Sequence, residues 1–163
     1  MTIIVEDGTG VVNANSYQSE AQLIAYAALY GIEIPDTATA AILLLKGMDY
    51  LESNPLSGDP VTDEQLTHYP ADNAYVNGTL IANDIVPRQA IKALNEICLS
   101  IFSGYDPLAT PERGIKEETM DGFKTVYDDV AFDTYVSPRI DLFIAPLISE
   151  SDSGNGYMFR INY

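Results

Sequence analysis

The sequence predicts a mainly α protein: a helical bundle of four to five helices with one β-hairpin and an extended C-terminal arm. Three features point there. Apolar residues recur at three- and four-residue spacing in several separate stretches, cap signals bound those stretches, and a glycine-broken segment, "SGNGYMFRINY", closes the chain. With 163 residues, 47% apolar and 20% charged, the chain can build one core without disulfides or metal staples. The expected division is a helical domain over 1–149, with its hairpin at 113–128, and an arm over 150–163 that ends in a strand.

After a short apolar start at Ile3 to Val5, "EDGTG" reads as a turn. Ser19 and Gln22 form a capping-box pattern that opens an Ala-rich helix from about Glu20 to Tyr30, stopped by Gly31. The stretch "PDTATAAILLLKGMDYLESNP" begins at an Asp/Thr cap and places Ala41, Leu44, Leu45, Met48 and Leu51 at helical spacing before Asn54-Pro55. It is the most apolar helix and is expected at the centre. Thr62 and Gln65 offer a second capping box to a short turn ending at Tyr69-Pro70, and Ala71 to Val86 reads as irregular. Pro87 suits the first position of a helix carrying Ile91, Leu94, Cys98 and Ile101, with Gly104 as its stop. Cys98, in the middle of that stripe, reads as a small core residue rather than a reactive thiol, which would need a cationic, exposed setting.

Asp121-Gly122 is the leading hairpin signal, because that pair tolerates the positive φ of a type I′ turn. The turn sets Met120 opposite Phe123, Thr119 opposite Lys124 and Glu118 opposite Thr125, so neither face is continuously apolar. A ribbon with so little to bury on its own body wants a neighbour. Lys116, Glu118, Met120, Asp121, Gly122, Phe123 and Lys124 are therefore expected at an inter-subunit contact. Ser137 caps a last helix with Pro138 in its first turn and Ile140, Phe143, Ile144 and Leu147 on one side, and Pro146 kinks or ends it. In the closing strand Tyr157, Phe159, Ile161 and Tyr163 share one face, and Met158, Arg160 and Asn162 the other. Its main-chain groups need a partner, either another chain or, in the plainer reading, Ile3 to Val5.

Chemistry-bearing patterns are sparse. Eight Lys and Arg against 24 Asp and Glu give a formal charge of −16. The cations Lys46, Arg88, Lys92, Arg113, Lys116, Lys124, Arg139 and Arg160 are scattered, which disfavours direct phosphate binding. The acidic excess fits either solubility or a wall that DNA passes without sticking. His68, the one histidine, rules out multi-histidine metal sites and reads as an exposed loop residue. Asp128, Asp129 and Asp133 read as solvated surface. Asp152 to Gly156 has only a faint likeness to a calcium loop, lacking its carboxylate run and bidentate Glu. "DGTGVVN" lacks the third glycine of a dinucleotide fingerprint, and no Walker-type Gly-Lys-Ser/Thr is present. Tyr26, Tyr30, Tyr50, Tyr69 and Tyr75 lie among Ala, Asp, Asn and Leu rather than beside a basic track, so they read as core and interface tyrosines. No catalytic residue, cofactor or metal site is expected, and the protein is not expected to be an enzyme. Cys98 alone cannot form an intrachain disulfide. "MTIIVEDGTG" lacks a signal-peptide pattern and "AAILLL" is too short to span a bilayer, so a soluble protein, intracellular when made and without a membrane partner, is expected.

Four segments in this order, "MTIIVEDGTGVVNANSY", "QLTHYPADNAYVNGTLIANDIVPRQAIKALNEI", "IKEETMDGFKTVY" and "YVSPRIDLFIAPLI", resemble a family of tailed-phage proteins encoded among head and neck genes. Its members are often labelled DnaT-like single-stranded-DNA-binding, and the resemblance is here taken to mean head-tail connector, or adaptor, proteins. Where the family carries Trp-Pro-Arg this chain has Tyr69, Pro70 and Ala71, so the contact made by that Arg is open. The resemblance implies a structural virion protein of the neck, assembled in the host cytoplasm as a ring of about twelve identical subunits under the twelve-fold portal. It further implies a downstream tail or stopper protein below and genomic double-stranded DNA passing through without specific binding. Tyr157, Met158, Phe159, Arg160 and Ile161 would then add as a strand to the portal or to an adjacent subunit. The alternative is a single-stranded-DNA-binding replication accessory protein.

Overall fold

A computed structural model describes residues 2–105, 117–120, 123–126 and 138–148. Among them the architecture is mixed and mainly helical: four α-helices with three small antiparallel strand pairs.

The first helix, α1, spans Glu20–Leu29, and its capping box is complete: the Ser19 hydroxyl accepts from the Gln22 N–H, and the Gln22 side chain accepts from the Ser19 N–H at 2.7 Å. α2 spans Thr37–Glu52 behind the Asp36 cap, whose carboxylate accepts from the Thr39 N–H at 2.6 Å. Those hydrogen bonds from Thr39 hold the Asp36 carboxyl below its ordinary range. α3 spans Arg88–Phe102, with Pro87 as its cap rather than its first residue. α4 spans Pro138–Ile144 and tightens into a 3₁₀ turn, Ala145–Leu147, where Pro146 ends regular helix. Ser137 lies outside the described residues.

α2 and α3 share the centre, with α1 on the flank of α2 and α4 against α3. Leu23, Leu44, Leu51, Leu94, Ile97, Ile140 and Leu147 are fully buried between them. Leu43 is buried where the spacing had favoured Leu45, which is only half-buried, because the turn of α2 that carries Gly47 and Met48 faces α3. A Cβ on Gly47 would lie 2.9 Å from both Cys98 Sγ and Leu94 Cδ1, so glycine sets how closely the two helices approach.

The stretch from Ala71 to Val86, expected to be irregular, holds paired strands. β1 (Asp59–Pro60) pairs with β2 (Ala71–Asp72), and β3 (Tyr75–Val76) pairs with β4 (Thr79–Leu80). The turn between β3 and β4 is Asn77-Gly78, with φ of 51° and 72°, the left-handed pair that a two-residue hairpin needs. The short turn expected at Thr62 forms, closed by the Gln65 N–H donating to the Thr62 carbonyl at 3.2 Å. The Gln65 side chain does not close a capping box: its amide donates to the carbonyls of Thr67, His68 and Pro70 and gathers a loop whose Tyr69-Pro70 bond is cis. β5 (Glu117–Met120) and β6 (Phe123–Val126) pair in the expected register, Met120 with Phe123 and Glu118 with Thr125. The C-terminal arm, and with it the boundary at 149/150, lies outside the described residues.

The N-terminal segment is held by polar groups. Glu6, 2% exposed, bends its carboxylate back onto the N–H groups of Gly8, Gly10 and Val11 at 2.7 to 3.0 Å. Its own N–H donates to the Ser16 carbonyl at 2.8 Å. Ile3 to Val5 therefore run beside Asn15 and Ser16, through the Val5–Ser16 bridge. Gln18 then donates to Asn95 at 2.7 Å and ties this segment to α3. Replacing Glu6 by Ala orphans three donors around one buried carboxylate, so Glu6→Ala should lower unfolding stability by about 2–4 kcal/mol, read from urea melts followed by circular dichroism.

Candidate functional site

At the end of α1, Tyr26 and Tyr30 stand one turn apart and their rings tilt together, centroids 5.1 Å apart. α3 brings Lys92 and Glu96 to the same flank, again one turn apart, and α4 brings Arg139 and Phe143. The pairs Glu96 with Arg139 and Lys92 with Phe143 show that α3 and α4 run antiparallel here. The Arg139 guanidinium carbon lies 5.2 Å from the Tyr30 ring centroid, and the Lys92 ammonium 5.6 Å from that of Phe143. Two cations thus sit on two aromatic faces.

One buried carboxylate organises the strip. Glu96, whose side chain is 6% exposed, accepts on a single oxygen, Oε1, from Arg139 Nη2 at 2.9 Å and from the Tyr26 hydroxyl at 2.8 Å. The Tyr26 oxygen lies 3.2 Å from the Tyr30 hydroxyl. Burial first, then the hydrogen bonds to Tyr30 and Glu96, push the Tyr26 phenol well above its ordinary range, so it stays a neutral donor. Arg139 keeps 57% of its side chain exposed, and Tyr30 is 49% exposed. Lys92 is exposed as well, and among the described residues no carboxylate stands within ion-pair distance of it. With a cation on one face of each ring, a flat base can stack on the part of the ring left open or on the guanidinium plane itself, and the cations can neutralise a phosphate next to it.

Sequence reasoning missed this constellation. The contacts join positions 43 and 70 residues apart, so the tyrosines appeared to lack a basic track and the cations appeared scattered. The signal that could have found it is local: Tyr26/Tyr30, Lys92/Glu96 and Arg139/Phe143 are each spaced by four within a predicted helix.

The other singled-out residues fall elsewhere. His68 is half-buried rather than exposed: its N–H donates to the Glu52 carboxylate at 2.9 Å, its Nε2 lies 3.0 Å from the Ser57 carbonyl, and its ring meets Tyr69 edge-on. Tyr17 and Tyr69 are core residues, whereas Tyr75 is 48% exposed and stands on the wall of a groove of about 1040 Å³ with Ser57, Asn77, Leu142 and Pro146. Among the described residues, no group of His, Cys, Asp and Glu is placed to hold a metal ion, and no helix is long and apolar enough to cross a membrane. Asp128, Asp129, Asp133 and the segment Asp152–Gly156 lie outside the described residues, as do Tyr157, Met158, Phe159, Arg160 and Ile161. So do Lys116, Asp121 and Gly122 of the hairpin. Glu118, Met120, Phe123 and Lys124 lie on β5 and β6.

Cys98 is fully buried in α3, its thiol 3.3 Å from the Leu43 carbonyl, and burial pushes its pKa far up. The native protein should therefore leave Cys98 unmodified by an aromatic disulfide reagent across neutral and mildly alkaline pH, with one thiol released on denaturation.

Over residues 1–162 the chain matches the family described as "Putative DnaT-like ssDNA binding protein". No curated protein and no solved structure matches it. The resemblance seen in the sequence thus holds for the family bearing that label, and the label corrects the functional expectation built on it. A head-tail connector ring docked on a portal, with a tail or stopper protein below and DNA passing without specific binding, is overturned by a description that names single-stranded DNA as the ligand. The reading as a structural virion protein of the neck falls with it. The description agrees with the alternative, a single-stranded-DNA-binding protein.

Proposed function

Because the chain belongs to this DnaT-like family, we propose that it binds single-stranded DNA as a replication accessory protein, through the strip formed by Tyr30, Arg139, Lys92 and Phe143. The family match over 1–162 is the observation that carries the reading. The strip supplies the two things that sequence-tolerant strand binding needs, ring faces for stacking and cations for the backbone.

The charge of −16 sets the kind of binding to expect. At physiological salt a charge is screened over about 8 Å, so the local cations rather than the distant acidic surface act on a strand held against the rings. Two cations neutralise two phosphates at most, which gives a log–log salt slope no steeper than about −1.4. Affinity then comes mainly from stacking, worth roughly 1–3 kcal/mol per base. The protein should bind weakly, with little sequence preference and with shallow salt dependence.

Fluorescence anisotropy of a labelled thymidine oligonucleotide, titrated with the full chain at low salt, tests this. Saturable binding is expected, with Tyr30→Ala weakening it about tenfold or more through the lost stack and Lys92→Ala severalfold. Absence of binding at low salt, or full affinity in the Tyr30→Ala and Lys92→Ala double variant, would overturn the proposal.

A further inference from the structure

Arg139 is exposed and stacked on the ring that the strand would use, yet its charge is already answered by a carboxylate of the same molecule. We infer that Glu96 is an internal competitor of the DNA phosphate for the charge of Arg139: it neutralises that charge before a strand arrives, leaves Lys92 as the uncompensated cation among the described residues of the strip, and thereby sets a low affinity. The inference rests on the DNA-binding reading and adds a residue that limits it.

The geometry separates charge from position. Arg139 and Tyr26 both donate to the same atom, Glu96 Oε1, and the Tyr26 hydroxyl anchors that oxygen at 2.8 Å. In a Glu96→Gln variant the amide oxygen can take the same place and accept both hydrogen bonds, so Arg139 stays over Tyr30 while the negative charge disappears. The guanidinium carries five N–H donors, and among the described residues only Nη2 is given to Glu96, so a phosphate can still reach the other edge; what Glu96 removes is the net charge that would hold it there.

Anisotropy titrations of the wild type, Glu96→Gln, Arg139→Ala and the double variant across a salt series test it, with thermal melts confirming that each is folded. Glu96→Gln should bind a thymidine oligonucleotide severalfold more tightly at low salt, and its log–log salt slope should steepen by about 0.7, the share of one more phosphate on a single strand. Arg139→Ala should remove both gains in the Glu96→Gln background. A folded Glu96→Gln with unchanged affinity and slope would overturn the inference while leaving the DNA-binding reading standing. So would weaker binding, which would make Glu96 a residue that positions Arg139 for the strand, and so would a gain that survives Arg139→Ala. Absence of binding in both the wild type and Glu96→Gln would overturn the reading and the inference together.

Discussion

The fold depends on where the side chain of Glu52 goes. A carboxylate at the last residue of a helix faces the negative end of the helix dipole, an unfavourable place unless something else holds it. Here it accepts the Tyr17 hydroxyl at 2.5 Å and the His68 N–H at 2.9 Å. The Tyr17 oxygen in turn accepts the Tyr69 N–H at 3.0 Å. Three segments remote in sequence are joined by one carboxylate. Hydrogen bonds to a charge contribute about 1.5–3 kcal/mol each, enough to outweigh the dipole term of a few tenths to one. Burial, with the neighbouring carboxylate, keeps Tyr17 protonated and so keeps it a donor. The arrangement fixes the loop that seats Tyr69, fully buried, beside the helices.

The helices were legible because their signals are local. The Ser19/Gln22 box, the Asp36 cap and the break at Pro146 are each decided within four residues, and each stands where the sequence places it. The connections were not, for two reasons. Asn77-Gly78 carries as strong a hairpin signal as Asp121-Gly122, but strands of two residues give no alternation to read beside it. Thr62 and Gln65 have the spacing of a capping box, yet no apolar periodicity follows. The amide of Gln65 then serves three loop carbonyls instead of reaching back to Thr62.

The candidate site was less legible, since its meaning lies in pairings between helices. Tyr30 is exposed at the C-terminal cap of α1, and only the packing of α4 beside it turns it into a platform with a cation. A net charge of −16 pointed away from nucleic acid because it averages over the whole surface, whereas a strand would meet only the few groups within a screening length. His68 misled in the opposite sense: a lone loop histidine reads as idle, but its main chain and ring are both engaged in seating Tyr69.

Where α2 crosses α3, the missing side chain of Gly47 is matched by the thiol of Cys98 and the branch of Leu94. These three positions divide one fixed volume. Bulk added at any of them has to be subtracted at another, so across descendants of this sequence they would drift as a linked set, and a redesign of the crossing would have to alter them together.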